Sequence, residues 1–242
     1  MIPKTIHYCW FGKKRLPDLA IKCIESWQKY LPDYKIVEWN EDNFNHNTNI
    51  FTKEAYLSQK FAFVADYVRL LALYSHGGIY MDTDVELIKT LDSFLHYPAF
   101  IGYEDEANLQ TGIIGSEKGG VWVKEQLDYY ENRHFILPNG SLDMTTNVEI
   151  VSQLMLKQGF TLKDSRQNFK NAIEIFPKDY FCPKSPKTGK IKITSNTYAI
   201  HHFAGSWTTT SQRINSFIGK ILPQPITSFI QKISHKIKGR HK

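Results

Sequence analysis

The sequence predicts an α/β domain with a mostly parallel central sheet, followed by a basic, amphipathic helical tail. In the first half of the chain, short apolar runs of strand length alternate with longer segments of helical periodicity, a pattern typical of parallel sheets. The excess of positive charge lies instead at the C-terminal end. We therefore divide the 242 residues into a domain over 1–212, long enough to bury a normal core, and a tail over 213–242.

The predicted elements follow from local patterns taken in order along the domain. Strands are expected at the apolar runs 4–11, 34–39, 79–81, 98–103, 111–115, 173–182 and 190–201. Helices are expected where apolar residues recur three or four positions apart, at 17–30, 51–60, 61–75, 119–132 and 147–158. The Asn-rich segment 40–49 is expected to be a loop, and Gly77 and Gly78 are expected to end the helix before them.

The charge distribution separates domain and tail. From Arg213 to Lys242 there are seven Lys or Arg residues and no Asp or Glu, which leaves 23 basic and 24 acidic residues in the rest of the chain. A domain without positive excess argues against nucleic-acid binding. Apolar residues recur at helical spacing from Ile214 and again after Pro225, so the tail is predicted to contact an anionic membrane surface. Packing of these helices on the domain is the alternative.

Cysteine usage and the N-terminal sequence bear on location. Cys9, Cys23 and Cys182 are odd in number and form no CxxC, which argues against a disulfide framework or a cysteine zinc site and fits a reducing compartment. We find no signal-peptide pattern and no run near the roughly 20 apolar residues that cross a bilayer. Together with the tail, these features predict a cytoplasmic protein, peripheral on the inner face of the cell membrane.

Two carboxylates follow the predicted strand 79–81. Asp82 and Asp84 are one residue apart, so in extended chain they point the same way, to the edge of a parallel sheet where ligands bind. Their mutual repulsion is removed if a divalent cation lies between them, and hard oxygen ligands suit Mn²⁺ or Mg²⁺. A solvated loop with two acids is the alternative, because Asp-x-Asp alone is a weak motif.

The helix before this strand carries a second polar pair. Asp66 and Arg69 lie three positions apart on the helix 61–75, so they share a face of an otherwise apolar helix. A site for metal, phosphate and sugar hydroxyls would use both a carboxylate acceptor and a guanidinium donor. An ordinary surface ion pair is the alternative.

The stretch FVADYVRLLALYSHGGIYMDTDVELI, at residues 63–88, resembles the signature of glycosyltransferases of family 32, whose sugar-binding region contains a DXD motif. It is also similar to the catalytic domain of the large glucosylating toxins, and IPKTIHYCWFG resembles the opening strand of the family. The resemblance covers about the first 90 residues and implies a GT-A-type nucleotide-sugar-binding fold. It also implies retaining transfer of a hexose from a UDP- or GDP-linked donor to a glycan or lipid-linked glycan, as in capsule and other surface polysaccharide synthesis.

The resemblance also implies roles for individual residues. Trp10 matches the tryptophan that stacks on the nucleotide base, although a core tryptophan is the alternative. Asp66 and Arg69 match the pair that holds the donor sugar, and the aromatic Tyr80 is assigned to nucleotide-sugar binding. Asp82 matches the carboxylate near the ribose and metal, and Asp84 the carboxylate directly on the metal.

The segment YAIHHFAGSWTTTS, at residues 198–211, is a candidate source of further ligands. By resemblance, His202 is predicted to be the third metal ligand, and Ser206 and Trp207 to meet the metal and diphosphate. Adjacent side chains on a strand point oppositely, so His201 is the alternative ligand, and a hydrogen-bonded core histidine is the alternative for either. Two polar loops are further candidates for lining the sugar pocket, with plain polar loops as the alternative: Asn108, Gln110 and Thr111, and Thr145, Thr146 and Asn147.

Two other classes of function fit part of this pattern. A phosphatase of the haloacid-dehalogenase type would use Asp82 as a nucleophile after an apolar strand. No Gly-Asp-x-x-x-Asp and no Asp-Asp pair follows position 90, so this class lacks its later acidic cluster. A non-catalytic, membrane-associated binder of glycans or nucleotide sugars is the third class, and the intact acid pair argues against it.

Overall fold

The structure, a computed structural model, describes residues 1–186 and 188–205. The predicted tail and the predicted ligands Ser206 and Trp207 lie outside the described residues. Within the described part, no helix combines the length and apolar character that spanning a membrane requires. Cys9, Cys23 and Cys182 are all buried free thiols.

Nine strands and six helices make up the described part of the chain. The strands are β1 Thr5–Cys9, β2 Lys35–Trp39, β3 Gly78–Met81, β4 Val85–Leu87, β5 Ala99–Gly102, β6 Ile113–Ser116, β7 Gln167–Phe169, β8 Ile173–Phe176 and β9 Ala199–His201. The helices are α1 Asp18–Tyr30, α2 Ile50–Leu57, α3 Phe61–His76, α4 Val121–Asp128, α5 Asn147–Lys157 and α6 Lys178–Phe181. Short 3₁₀ turns lie at His46–Thr48 and Asp92–Phe94.

Seven strands form one sheet in the order β2-β1-β3-β6-β5-β8-β7. The pairs β1–β2, β1–β3 and β5–β8 are parallel, whereas β6 and β7 run against their neighbours. Five of the seven strands therefore point the same way, and the expected α/β domain with a mostly parallel sheet is confirmed. A separate antiparallel pair, β4–β9, brings the region after the two aspartates against the end of the described chain.

The late strands differ from the sequence prediction. The segment 173–182 is a strand only as far as Phe176, because Pro177 ends it and begins the short helix α6. The segment 190–201 is a strand only over its last three residues. In this segment Thr194 and Thr197 hydrogen-bond each other through backbone and side chain, which closes a turn instead. The short strands β4 and β7 were not predicted, since three residues carry no clear period.

The sheet separates two apolar layers. Helices α2 to α5 lie in one layer, and α1 and α6 lie with the β4–β9 pair in the other. Tyr80 of β3 packs into the first layer, whereas its neighbours Ile79 and Met81 pack into the second. Helix α3 is buried around most of its circumference, which explains its nearly continuous apolar sequence.

A buried histidine holds the turn between α3 and β3. Gly77 and Gly78 both have positive φ, and a Cβ at Gly78 would lie 2.5 Å from the carbonyl oxygen of Thr5. His7 Nε2 bonds the carbonyl oxygen of Gly77 at 2.8 Å, and its Nδ1 accepts from the indole N–H of Trp39 at 3.2 Å. His7 is therefore neutral with its proton on Nε2, and burial lowers its pKa from the ordinary value.

This histidine predicts a specific pH dependence of stability. The pKa of His7 is lower in the folded chain than in the unfolded chain, so its contribution is complete above a pH of about 6.5 and is lost as the pH falls below that value. We expect the free energy of unfolding, measured by urea titration between pH 7.5 and 5.5, to fall less steeply with acid in His7→Gln than in the wild type. The difference in slope should approach one proton, about 1.4 kcal/mol per pH unit. Equal slopes would contradict a neutral His7.

Candidate functional site

The site residues meet at one edge of the sheet. Trp10 directly follows β1 and Asp82 directly follows β3, and these strands are parallel. Glu104 comes two residues after β5, which points the same way, and Gly112 directly precedes the antiparallel β6. The carboxyl ends of the parallel strands therefore form one edge, where α/β proteins bind their ligands.

Arg69 is the central cation of this edge. Its side chain is buried, with Nη2 donating to Asp66 Oδ1 at 2.9 Å and Nη1 donating to the carbonyl oxygen of Thr111 at 2.6 Å. Nη1 also lies 3.4 Å from Asp82 Oδ1, and the guanidinium lies 4.5 Å from the centre of the Tyr80 ring. The guanidinium of Arg69 therefore links Asp66 on the helix to Asp82 of the acid pair. From the sequence, these were two separate features.

Asp66 has a second polar neighbour besides Arg69. Burial raises the pKa of Asp66 to about 6 despite the opposing effect of Arg69, and the amide of Asn147 lies close enough to act on the carboxyl. Both amide atoms of Asn147 and the hydroxyl of Tyr130 are buried without a hydrogen bond of good geometry to any described residue. Unpaired buried polar atoms next to an acid mark a place for a polar ligand.

Hydrogen bonds to the backbone and to Tyr80 hold Asp82 and Asp84 in position. The N–H of Asp82 donates to the carbonyl oxygen of Gly112 at 2.8 Å, and the N–H of Val85 donates back to the carbonyl oxygen of Asp82 at 3.0 Å. Asp82 Oδ1 accepts the hydroxyl of Tyr80 at 2.8 Å. Asp84 Oδ2 accepts the backbone N–H of Ala204 at 2.7 Å, which ties the acid pair to the chain after β9.

Asp82, Asp84 and His201 form a cluster whose ligand atoms all lie within 4.8 Å of one another. His201 Nε2 is 3.3 Å from Asp84 Oδ1, and the buried ring also interacts with the thiol of Cys182. Two carboxylates and an imidazole are a suitable donor set for Mn²⁺. These residues therefore fit the divalent cation that the acid pair implies.

Asp84 and His201 shift each other's proton affinity. Burial alone would raise the pKa of Asp84, but His201 and the backbone N–H of Ala204 together lower it to about 2. Burial alone would likewise lower the pKa of His201, but Asp84 and the Cys182 thiol together raise it well above its usual value. Without a cation the pair is therefore an ion pair, and a metal that binds His201 must displace its proton.

The predicted ligand His202 lies elsewhere, and the alternative His201 takes its place in the cluster. The ring of His202 hydrogen-bonds Glu86 Oε2 at 2.8 Å. The backbone N–H of His202 donates to the carbonyl oxygen of Asp84. The register of β4 and β9 decides between the two histidines, because it puts His201 opposite Val85, beside Asp84. The geometry therefore favours His201, the alternative, over His202 as the third ligand.

Two residues of this edge were not singled out from the sequence. Burial raises the pKa of the Glu104 carboxyl, and the charges of His201 and Asp82 also act on it. A Cβ on Gly112 would lie 3.2 Å from His201 Cε1 and 3.3 Å from Asp82 Oδ2, so a larger residue there would crowd the cluster. The signal for Glu104 was available, since it is an acid just after a strand, as Asp82 is.

Trp10 stands at the rim of a neighbouring cavity. It is partly buried, its indole N–H donates to the carbonyl oxygen of Lys14, and it lines a cavity of about 280 Å³ with Glu38 and Asn40. A second cavity of about 540 Å³ continues past Glu41. The tryptophan is therefore placed at an open edge and not in the core.

The polar loop candidates have mostly structural contacts. Gln110 bonds the backbone of Ile113, Thr111 presents its carbonyl to Arg69, and Thr146 caps α5 by accepting from Glu149. Asn108 and Thr145 bond aspartates within their own loops. Among these candidates, Asn147 lies beside Asp66, and its amide acts on that carboxyl.

This edge brings together an acid pair, a buried Asp–Arg pair and an aromatic rim. Residues 17–101 match the family described as glycosyltransferase sugar-binding region containing DXD motif, and this chain carries that region. The resemblance inferred from residues 63–88 is confirmed.

Curated relatives and a solved structure extend this result. "Inositol phosphoceramide mannosyltransferase 3" of Schizosaccharomyces pombe is 32% identical over 126 residues, 49% of this chain and 34% of that protein. "Inositol phosphoceramide mannosyltransferase 2" of the same organism is 23% identical over 217 residues, 86% of this chain and 58% of that protein. The chain thus spans between about a third and three fifths of the length of these relatives.

The apo-form glycosyltransferase GlyE of Streptococcus pneumoniae TIGR4 aligns with a TM-score of 0.50 at 10% identity, over 95% of this chain and 64% of that chain. This similarity concerns the fold, and the expected GT-A-type fold is confirmed.

The two histidines give a direct test of the cation cluster. We expect His201→Asn to weaken Mn²⁺ binding by about 10- to 100-fold, because it removes a ligand, and His202→Asn to change it less than about twofold. Mn²⁺ titration followed by electron paramagnetic resonance measures both affinities without any donor. Equal effects of the two substitutions, or a larger effect of His202→Asn, would reject the assignment of His201.

Proposed function

We propose that this chain is a metal-dependent glycosyltransferase that moves a hexose from a nucleoside-diphosphate donor to a hydroxyl of a glycan or lipid-linked glycan. The observation that carries the proposal is the continuity of the Asp82–Asp84–His201 cluster with the Asp66–Arg69 pair at one edge of the sheet. This arrangement supports a diphosphate site and a sugar site side by side.

The donor would lie along the edge from Trp10 to Asp66. Trp10 would stack on the base beside the cavity that it lines, and Tyr80 would hold Asp82 in place through its hydroxyl. Asp66 would accept from sugar hydroxyls, Arg69 would donate to them, and the buried amide of Asn147, beside Asp66, would complete their hydrogen bonds. The proposed donor is a sugar linked to either UDP or GDP.

The chemistry requires stabilisation of the departing diphosphate. A divalent cation, Mn²⁺ or Mg²⁺, would neutralise the charge that grows on it. Asp82, Asp84 and His201 would hold that cation, and Arg69 adds a fixed positive charge within 3.4 Å of Asp82. We propose transfer with retention, on the same face as departure, with a diphosphate oxygen taking the proton of the acceptor.

The proposed acceptor and setting follow from the relatives and the tail. Two relatives are named for the transfer of mannose to inositol phosphoceramide, which supports a lipid-linked acceptor here. We propose a role in surface polysaccharide synthesis such as that of a capsule, on the inner face of the cell membrane. The basic tail from Arg213 would hold the chain at anionic lipid, and a chain ending at Gln212 should then sediment less with anionic vesicles.

The phosphatase alternative is less well supported. The later acidic cluster that this chemistry needs has no counterpart in the sequence, because neither Gly-Asp-x-x-x-Asp nor an Asp-Asp pair follows position 90. The family match over residues 17–101 also favours sugar transfer. A non-catalytic binder would bind the same donor, so only the presence or absence of turnover distinguishes it from an enzyme.

Asp84 and Glu86 provide a matched pair for testing turnover. We expect Asp84→Ala to lower Mn²⁺-dependent donor hydrolysis and transfer by at least about 10³-fold, because the leaving diphosphate loses its counter-charge. Glu86→Ala removes an acid two residues away that only pairs with His202, and we expect more than half of the activity to remain.

Hydrolysis and transfer are measured with a panel of UDP- and GDP-sugars in the presence of Mn²⁺. Normal activity of Asp84→Ala would refute the metal-dependent mechanism. Binding of a donor by the wild type without any turnover would identify the binder alternative, and release of phosphate from simple esters would identify the phosphatase.

A further inference from the structure

The chain makes a left-handed turn soon after β9, next to the cation cluster. Phe203 has a φ of 54°, in a region that residues with a Cβ rarely adopt. Apart from glycines, the other described residues with a positive φ are all polar: Lys13, Gln59, Asn132, Lys170 and Asn171. Within the described part of the chain, Phe203 is thus the one large apolar residue held in this conformation, and such strain persists only where the surrounding contacts impose it.

The contacts of this turn are with the cation cluster. The ring of Phe203 lies against the ring of His201, with 4.2 Å between the ring centroids and 34° between the ring planes. Before the turn, the backbone N–H of His202 donates to the carbonyl oxygen of Asp84 at 2.9 Å. After the turn, the backbone N–H of Ala204 donates to Asp84 Oδ2 at 2.7 Å. The turn therefore brings the chain back onto two residues of the cluster.

Packing in the core does not account for the position of Phe203. Its side chain is partly exposed, and neither apolar layer of the described residues includes it. In an extended strand, residues two positions apart point the same way but lie about 7 Å apart, so the ring of residue 203 would stand beside His201 and not on it. The left-handed turn is what brings the two rings together.

The orientation of the His201 ring decides whether it can bind a cation. A ring nitrogen binds a metal through a lone pair that lies in the plane of the imidazole, so a ring that turns about its Cβ–Cγ bond aims this lone pair elsewhere. The backbone of His201 is fixed by its pairing with Val85. Phe203 covers one face of the ring and so opposes this rotation. Groups that hold a ligating histidine in place commonly contribute 10- to 100-fold to metal affinity.

We propose that Phe203 is a positioning residue for the cation cluster. Its ring fixes the plane of the His201 imidazole, and its left-handed turn places the N–H of Ala204 on Asp84, so both ligands are oriented before a cation arrives. Preorganised ligands bind more tightly because their side chains lose little freedom on binding. The proposal rests on the metal dependence of the proposed function, and it places Phe203 in contact with neither substrate nor cation.

Nuclear magnetic resonance of the full chain tests the stacking without any metal. The ring current of Phe203 should shift the ring protons of His201 upfield, and His201→Asn identifies these signals by their loss. We expect the signals to move downfield in Phe203→Leu, which keeps the apolar bulk but removes the ring. In Phe203→Tyr, which keeps the ring, we expect them to stay near their wild-type positions. Signals that do not move in Phe203→Leu would overturn the proposal.

Titration with Mn²⁺, followed by electron paramagnetic resonance, measures the effect on the cluster. We expect Phe203→Gly to weaken Mn²⁺ binding about tenfold, because glycine keeps the left-handed turn but removes the ring. The matched control is Gln59→Gly, since Gln59 has a φ of 56° and is exposed between α2 and α3. We expect this control and Phe203→Tyr each to change the affinity less than about twofold.

Circular dichroism and urea unfolding of each variant separate positioning from support of the fold. If Phe203 only stabilised the fold, variants that remain folded would bind Mn²⁺ as the wild type does. Phe203→Leu is the second variant should Phe203→Gly not fold, and we expect it to weaken binding at least about threefold. Wild-type affinity in the folded variants, or an equal loss in Gln59→Gly or in Phe203→Tyr, would overturn the proposal.

Donor hydrolysis separates this proposal from the proposed function. In Phe203→Gly, we expect the Mn²⁺ concentration for half-maximal hydrolysis to rise about tenfold and the rate at saturating Mn²⁺ to stay within about twofold of the wild type. A lower saturating rate with an unchanged Mn²⁺ requirement would overturn the role of Phe203 alone. A wild type that binds no Mn²⁺, or that hydrolyses donors without a divalent cation, would overturn the proposed metal dependence and with it the role of Phe203.

Discussion

The rest of the site depends on the ion pairs that one buried guanidinium, that of Arg69, makes with two acids. Arg69 lies between Asp66 and Asp82, above the ring of Tyr80, and its charge cannot be removed by deprotonation. Two acids in a buried setting would otherwise repel each other and take up protons. Because Arg69 also bonds the carbonyl oxygen of Thr111, it fixes the loop before β6 against α3, and with it the position of Gly112 beside the acid pair.

The remaining ionisable groups of this edge include a second pair. Asp84 is paired with His201, and burial raises the pKa of the Glu104 carboxyl, on which the charge of His201 also acts. The carboxylates of Asp82 and Asp84 lie at an edge beside Gly112, where a Cβ would crowd Asp82 and His201, and such oxygen ligands suit a divalent cation. Asp82 and Asp84 thus stand side by side because each has its own positive neighbour, with room for a third charge between them.

Local signals in the sequence predicted the parts of the fold that local forces determine. The periodicity of α3, the Gly77–Gly78 turn and the acids after β3 were all readable, because each depends on neighbours in the chain. The choice between His201 and His202 depends on the register of β4 with β9, which joins segments more than a hundred residues apart. The unpaired amide of Asn147 could not be read either, since burial of a side chain follows from packing and not from its identity.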